Sequence, residues 1–213
     1  SAKRSNSKLD VALIEKNEIM GRKLRATGNG RCNITNVNAE GYSEVISFLS
    51  SLGIVTKINE NGFLYPASES AADVSELLEL RLKQLGVKVY TGVTALEVSY
   101  ASDKTEFLTT VSMRETSDHG GSADYLKCTV YSSALVIAAG GKSAPVYGST
   151  GEGYRWLRGL GHTVTRLVPS LAPIECDGAD LSKLSGTRVR AEAKLFKNGE
   201  EIHREDGEIQ FTK

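Results

Sequence analysis

Apolar residues follow two different periods along this chain, and together they predict an α/β fold. Residues 9–14 (LDVALI) and 134–138 (ALVIA) are short, nearly continuous apolar runs, typical of strands buried on both faces of a parallel sheet. A helix with one buried face is predicted from Ser70 to Gly86, because apolar residues recur there at three- and four-residue intervals: Val74, Leu77, Leu78, Leu82 and Leu85.

A meander of three strands is predicted between that helix and the second apolar run. The strands cover residues 92–100, 106–115 and 124–131, which are rich in Val, Thr, Tyr and Phe. Their linkers are short, and residues 117–122 form a polar turn, so antiparallel pairing is favoured. A further strand is predicted over residues 87–90.

The rest of the chain is predicted to form further helices and strands. Residues 1–7 are predicted to be the tail of a helix, and further helices are predicted over 40–51 and 152–160. A hairpin is predicted over 54–65, with its turn at Asn61–Gly62. Short strands are predicted over 188–196 and 208–212. We therefore expect an α/β fold with a parallel sheet plus an antiparallel meander, and beyond Pro169 the pattern changes to short strand-like runs.

Composition excludes several classes of function. Lys plus Arg equals Asp plus Glu at 26 each, which argues against a nucleic-acid binder. No apolar run approaches the roughly 18 residues of a membrane span, and the first residues lack the apolar core of a signal peptide. The cysteines Cys32, Cys128 and Cys176 lie far apart, so neither a disulfide framework nor a metal site is indicated, and a cytoplasmic location is expected.

Glu15 follows the first apolar run directly. In dinucleotide-binding folds an acidic residue at such a strand end hydrogen-bonds the adenosine ribose, about 20 positions after a glycine-rich fingerprint. Counted back from Glu15, the fingerprint falls before Ser1. We therefore expect the first strand and its GxGxxG loop to be missing. A solvated carboxylate at a strand end is the alternative.

A glycine- and asparagine-rich loop is predicted over residues 21–38, and its residues 21–36 (GRKLRATGNGRCNITN) carry the densest polar chemistry. Gly28 and Gly30 allow a ligand close to the backbone. Four cations suit a pyrophosphate, and neutral polar side chains suit a ribose or a flavin edge. A solvated loop is the alternative interpretation. The cations are Arg22, Lys23, Arg25 and Arg31; the polar residues are Thr27, Asn29, Asn33 and Thr35.

Two more glycine-rich turns follow apolar or polar runs. The AAGG of residues 138–141 ends the second buried run, where small residues allow a ligand to lie across the sheet edge; alone it is a common strand-to-turn junction. The YGSTGEGY of residues 147–154 precedes a helix and its backbone N–H groups suit an anion, with a plain helix start as the alternative. Cys32 lacks a nearby second cysteine, so a packing role is favoured over a redox role.

Together these segments resemble a family of bacterial NAD(P)/FAD-dependent oxidoreductases, the HI-type flavoproteins, which includes a protein tied to bile-acid 7α-dehydroxylation operons. GNGRCNITN is the most specific segment, and the resemblance extends over essentially the whole chain. The segments are 15–17 (EKN), 21–36, 63–70 (FLYPASES), 136–154 (VIAAGGKSAPVYGSTGEGY), 160–164 (LGHTV) and 169–175 (PSLAPIE).

The resemblance implies a Rossmann-like FAD-binding domain over residues 1–168, incomplete at its start, and the beginning of a β-rich insertion domain over residues 169–213. Glu15 would hold the adenosine ribose, and Val93 would present its backbone to the adenine. The resemblance also places the following residues at the cofactor: Lys16, Gly21, Arg22, Lys23, Thr27, Gly28, Asn29, Gly30, Arg31, Cys32, Asn33, Ala139, Gly140 and Gly141.

The implied function is an FAD-dependent oxidoreductase that passes hydride from NAD(P)H to a small organic substrate, and the link to bile-acid operons suggests one with a C=C bond conjugated to a carbonyl. The resemblance identifies no catalytic residue. By comparison with the family, we expect both ends of the protein to be missing from this chain. The alternatives are a non-catalytic flavin- or nucleotide-binding protein and an inactive fragment.

Overall fold

A computed structural model describes residues 2–114, 125–169, 174 and 182–211 of the chain. The chain divides into two compact units, residues 1–167 and 168–213, which are described separately. That residues 169–213 begin a β-rich insertion domain stays a prediction.

The first unit is built on a parallel strand pair. After a short helix α1 (Ala2–Ser5), strand β1 (Ala12–Ile14) pairs in parallel with strand β5 (Lys88–Tyr90). Parallel strands need a long crossover connection, and here it carries helices and a small sheet. The predicted parallel pairing of the first apolar run is confirmed, but the predicted burial on both faces is wrong, because Ala12 is exposed and Leu13 and Ile14 are only partly buried.

The predicted loop at residues 21–38 is partly wrong, because it contains regular structure. Helix α2 (Arg22–Ala26) is followed by a 3-10 turn (Thr27–Gly30) and the two-residue strand β2 (Thr35–Asn36). The glycines flank the helix and do not interrupt it: Gly21 is its N-cap, with φ 69°. The glycine-rich composition predicted a loop, but residues 22–26 form a helix because Leu24 packs on the core.

The small sheet has the order β2-β4-β3 and is antiparallel. Helix α3 (Tyr42–Ser51) precedes the hairpin of β3 (Thr56–Ile58) and β4 (Phe63–Pro66). The predicted turn at Asn61–Gly62 is confirmed, since Gly62 has φ 77° and Asn59 Oδ1 accepts hydrogen bonds from the N–H groups of Asn61 and Phe63 at 3.1 and 2.8 Å.

Helix α4 (Ala71–Gln84) confirms the helix predicted from its apolar spacing. Ser70 caps it, since its Oγ accepts a hydrogen bond from the Asp73 N–H at 3.2 Å. Its buried residues join those of α3 and the small sheet in one core cluster: Cys32, Leu49, Ile54, Leu64, Ala71 and Val74.

The predicted antiparallel meander is also present. Strands β6 (Val93–Tyr100), β7 (Phe107–Arg114) and β8 (Tyr125–Ser132) pair in sequence order. The polar turn predicted at residues 117–122 lies outside the described residues.

The strand predicted over residues 134–138 is wrong: these residues pair with no strand in the described part of the chain. One side of the segment packs on helix α5 (Glu152–Gly159), where a Cβ on Gly153 would lie 3.2 Å from Ile137 and 3.7 Å from Ala139. On the other side Val136 is 86% exposed. The apolar run identifies a packed segment, but a strand also requires a backbone partner.

The second unit contains a β-hairpin. Strand β9 (Arg188–Lys197) pairs antiparallel with β10 (Glu200–Gln210), with an irregularity between Glu201 and His203. The strand predicted over residues 208–212 therefore begins earlier, at Glu200, while its last residue lies outside the described part.

None of the helices described here is both long and apolar enough to span a bilayer.

Candidate functional site

Glu15 lies at the carboxyl end of β1 and its backbone is fixed on both sides. Its N–H donates to the Tyr90 carbonyl at 2.9 Å, and its carbonyl accepts from the Val93 N–H at 3.1 Å. Its side-chain Oε1 accepts two hydrogen bonds, from the backbone N–H and the side-chain amide of Asn17, at 2.8 and 2.6 Å. Within the described part of the chain, Oε2 accepts none, so one carboxylate oxygen remains available to a ligand.

Lys16 connects this strand end to the turn before helix α5. Its Nζ donates to Thr150 Oγ1 at 3.1 Å and to Glu152 Oε1 at 2.9 Å. The side chains of Lys16 and Glu152 are 30% and 31% exposed, so the ion pair is only partly screened by solvent. The end of β1 and the glycine-rich turn at residues 147–151 are therefore held side by side.

The same contact determines how Glu152 titrates. Burial alone would raise the pKa of this carboxyl, but hydrogen bonds with Thr150, Lys16 and its own backbone N–H, together with the Lys16 charge, lower the pKa to about 2. A carboxyl whose pKa is depressed in the folded state stabilises that state above its unfolded pKa, and this stabilisation is lost as the pH falls.

We therefore expect Glu152→Gln to destabilise the full-length protein near neutral pH and to do so less as the pH falls from about 5 towards about 2. Denaturant unfolding of both proteins at a series of pH values measures the difference. The exposed residue Glu60 provides the control substitution, Glu60→Gln. A difference for Glu152→Gln that stays constant across this pH range would contradict the assigned cause.

Helix α2 approaches both segments. Arg22 Nη1 donates to Asn17 Oδ1 at 3.3 Å, and Lys23 Nζ donates to the carbonyl and hydroxyl oxygens of Ser143 at 3.2 and 3.3 Å. Three segments thus meet here: the end of β1, the start of α2 a few residues later, and the distant residues 140–152.

Glycine is required at the contacts between these segments. A Cβ on Gly140 would lie 3.0 Å from the hydroxyl of buried Ser149, and one on Gly148 would lie 3.0 Å from Asn17 Nδ2 and 3.1 Å from Lys16 Cε. Both glycines have positive φ angles, of 73° and 95°. Gly141 lies beside the Tyr154 hydroxyl, at 3.3 Å from its ideal Cβ position, and Ala139 packs on helix α5.

The predicted segment from Thr27 to Asn33 forms a compact turn with unusual backbone geometry. Gly28, Asn29, Gly30 and Cys32 have positive φ angles of 56°, 55°, 82° and 62°. A Cβ on Gly28 would lie 2.8 Å from the Asn33 backbone nitrogen. Non-glycine residues in this conformation are uncommon and concentrate at functional sites.

The side chains of this segment divide between surface and core. Arg31 is exposed, with its guanidinium 5.2 Å from the centre of the Tyr65 ring, and Asn29 and Asn33 are also exposed. Thr27 Oγ1 donates to the Leu24 carbonyl at 2.7 Å.

Cys32 packs in the core, as favoured from the sequence. It is 1% exposed, and burial raises the pKa of its thiol even though a hydrogen bond with Thr27 opposes the shift. Its backbone is buried as well, and its N–H donates to the Thr27 carbonyl at 3.0 Å, so Cys32 supports this turn from the core.

Arg25 and Val93 have contacts that limit the ligand-binding roles predicted for them. Arg25, one of the four cations expected near a pyrophosphate, approaches Glu76 and Glu79 of helix α4 at 3.8 and 4.0 Å. It therefore connects two helices. Val93 is 7% exposed and its N–H already donates to Glu15, so an adenine contact by its backbone would use the carbonyl.

The sequence did not assign roles to Asn17, Ser149, Thr150 and Glu152, which complete the arrangement. The Lys16–Glu152 pair joins residues 136 positions apart, which no local pattern reveals. For Asn17 a signal exists: an amide two residues after a strand-end acid can donate back to it.

Two concave regions lie elsewhere on the first unit. One, of about 270 Å³, is mainly apolar and lies between helices α1 to α4, with Gly21 and Ser75 in its wall. The other, of about 660 Å³, is lined by residues of α4 and the β1–α2 connection. Glu15 and residues 139–152 line neither of them. Among the described residues no group of His, Cys, Asp or Glu side chains is suited to hold a metal ion.

A parallel strand pair joined by a helical crossover, with an acid at the strand end and an antiparallel meander beside it, is typical of a Rossmann-type α/β domain. The chain belongs to the family described as HI0933-like protein Rossmann domain, which matches residues 40–206. The predicted family and fold class are confirmed. The matched range begins after the glycine-rich segment at residues 21–36.

A curated relative is the 3-dehydro-bile acid delta(4,6)-reductase of Clostridium scindens, which is 32% identical over 231 aligned residues. The alignment covers 100% of this chain and 52% of the relative, so the chain spans about half the length of that protein.

Two solved structures are weakly similar. The THI4 protein of Thermovibrio ammonificans matches with a TM-score of 0.38 and 18% identity, over 52% of this chain and 40% of that one. A flavoprotein/dehydrogenase from Cytophaga hutchinsonii matches with a TM-score of 0.30 and 12% identity, over 59% and 33% of the two chains.

Proposed function

We propose that the full-length protein is an FAD-dependent oxidoreductase and that this chain holds the adenosine half of the FAD. The observation that carries the proposal is the Glu15 carboxylate at the end of a parallel strand, with Oε1 fixed by Asn17 and Oε2 available. An acid at this place in a Rossmann-type fold accepts hydrogen bonds from ribose hydroxyls.

The residues around Glu15 fit such a ligand. A ribose diol supplies two hydroxyl donors, and Oε2 is an acceptor that is already oriented. Gly140 and Gly148 present backbone without side chains beside the same strand end, and Arg22 and Lys23 add exposed cations at the start of α2. A dinucleotide carries both ribose hydroxyl groups and a negatively charged pyrophosphate, so an acceptor carboxylate beside cations suits its chemistry.

Each site residue predicted from the resemblance keeps a role within this proposal. Glu15 binds the ribose, Lys16 holds the 147–151 turn against it, and Val93 borders the adenine. The cations Arg22, Lys23 and Arg31 neutralise phosphate charge. The backbones of Gly21, Thr27 to Arg31, Asn33 and Ala139 to Gly141 line the path towards the flavin, and buried Cys32 supports the turn from the core.

When bound, FAD would supply the hydride chemistry through its flavin ring. The contribution of this chain is binding and orientation. We propose NAD(P)H as the electron donor and a small organic substrate, in the class of a C=C bond conjugated to a carbonyl. The substrate class is supported by the name of the Clostridium scindens relative, which is a reductase of a 3-dehydro bile acid.

Anaerobic mixing of the FAD-loaded full-length protein with NADH or NADPH tests the oxidoreductase proposal. Loss of the oxidised-flavin absorbance with one of the two donors, followed by recovery when an unsaturated carbonyl compound is added, is the expected result. A bound FAD that neither donor reduces would favour a non-catalytic flavin-binding protein.

A further inference from the structure

The Glu15 carboxylate is held in one orientation by a single neighbour. Asn17 donates twice to the same oxygen, from its backbone N–H at 2.8 Å and from its side-chain Nδ2 at 2.6 Å. Both donors approach Oε1, so the rotation of the carboxylate about its terminal bond is fixed. Terminal carboxylate torsions are otherwise broad.

The Asn17 amide is itself held in place on its other sides. Its Oδ1 accepts a hydrogen bond from Arg22 Nη1 at 3.3 Å, which also assigns the nitrogen of the amide to the Glu15 side. The Gly148 backbone packs against it, with an ideal Cβ position only 3.0 Å from Nδ2. The Asn17 carbonyl accepts from the Gly92 N–H at 3.1 Å, which fixes its backbone.

We propose that Asn17 is a positioning residue: by binding Oε1 of Glu15 it directs Oε2 to the vicinal diol of the adenosine ribose. The inference rests on the proposed function, since it concerns the same site. It adds that recognition of the ribose depends on a chain of three side chains, from the guanidinium of Arg22 through the amide of Asn17 to the carboxylate of Glu15.

The physical expectation follows from losing one charge-assisted hydrogen bond. In Asn17→Ala the backbone donor remains, but the Glu15 carboxylate can rotate. Binding of the ribose must then order the carboxylate again, and this ordering weakens the affinity. We expect FAD affinity to fall by about 10-fold. Asn17→Asp keeps the shape but places a second carboxylate at the position of the donor, so we expect a larger loss, of about 30-fold or more.

The test measures dissociation constants on the full-length protein for FAD, and for ADP and 2′-deoxy-ADP in competition with FAD. Wild type is expected to prefer ADP over its 2′-deoxy analogue, and Asn17→Ala to reduce that preference ratio by at least about 3-fold. A general structural defect would weaken both ligands equally and leave the ratio unchanged. Asn38→Ala, at an exposed asparagine, is the matched control.

A double-mutant cycle separates this inference from the function on which it rests. If Asn17 acts through Glu15, adding Asn17→Ala to Glu15→Ala changes FAD affinity by less than about 2-fold. If wild type binds FAD and Glu15→Ala weakens it, but both Asn17 variants bind like wild type, the positioning role is overturned and the proposed function stands. If wild type binds no FAD, the proposed function itself fails, and this inference with it.

Discussion

Glu15→Ala is expected to weaken FAD binding by the full-length protein by about 10- to 100-fold, because a charged acceptor of ribose hydrogen bonds is removed. The loss should be specific to ligands with an adenosine ribose. Titration of apoprotein with FAD, followed by the change in flavin fluorescence, measures it.

The control for this substitution is Glu18→Ala. Glu18 is an exposed acid three positions further along, so the two variants change the net charge equally. Glu18→Ala should bind FAD within about 2-fold of wild type, as expected for a solvent-screened charge. Equal effects of the two substitutions would indicate a general electrostatic contribution and would show that Glu15 does not bind the ribose.

Gly21→Ala is expected to lower the free energy of unfolding by about 2–5 kcal/mol, from left-handed backbone strain and from overpacking. A Cβ at this position would lie 2.6 Å from Ser75 Oγ. Ser75 is 3% exposed and its hydroxyl donates to the Met20 carbonyl at 3.3 Å, so the hydroxyl can move away only by giving up that bond. Denaturant unfolding of the full-length protein measures the change.

Gly41→Ala is a closely matched control for the steric contribution. Gly21 and Gly41 are both helix N-caps, with φ angles of 69° and 74°, but a Cβ on Gly41 would meet nothing within 4 Å. Gly41→Ala should therefore show only the backbone strain, about 1–2 kcal/mol. The excess at Gly21 should shrink when Ser75→Ala is added. Equal destabilisation at both glycines would show that the contact with Ser75 has no effect.

The elements that the sequence predicted correctly are those whose determinants are local. Helix α4 combines a capping serine, a three-and-four apolar spacing and a glycine just beyond its end, and all of these act within a single segment. The meander strands and the Asn61–Gly62 turn have the same character. The family resemblance depended on motifs of this local kind as well.

The incorrect predictions involve segments whose state depends on distant partners. Residues 134–138 have the composition of a buried strand, yet pairing is a property of two segments, and a run of apolar residues does not contain its partner. Residues 21–26 have the composition of a loop, yet the glycine at their start is a helix N-cap, and Leu24 is held by the core that α3 and α4 provide.

The candidate site shows the same division. The strand-end position of Glu15 was visible in the sequence, and the glycines beside it were visible as motifs. The contacts of Lys16 with Thr150 and Glu152 join segments more than 130 residues apart, so they could be identified only from the folded structure. The orientation of the Glu15 carboxylate required atomic positions, since a sequence specifies neither which oxygen is bound nor which is left available.

An absorption spectrum of the purified full-length protein shows whether the protein that contains this chain binds FAD. We expect oxidised-flavin bands, either as purified or after incubation with excess FAD and removal of the unbound cofactor, and heat release of a flavin identified as FAD. A full-length protein that remains colourless after incubation with excess FAD would show that it has no FAD site.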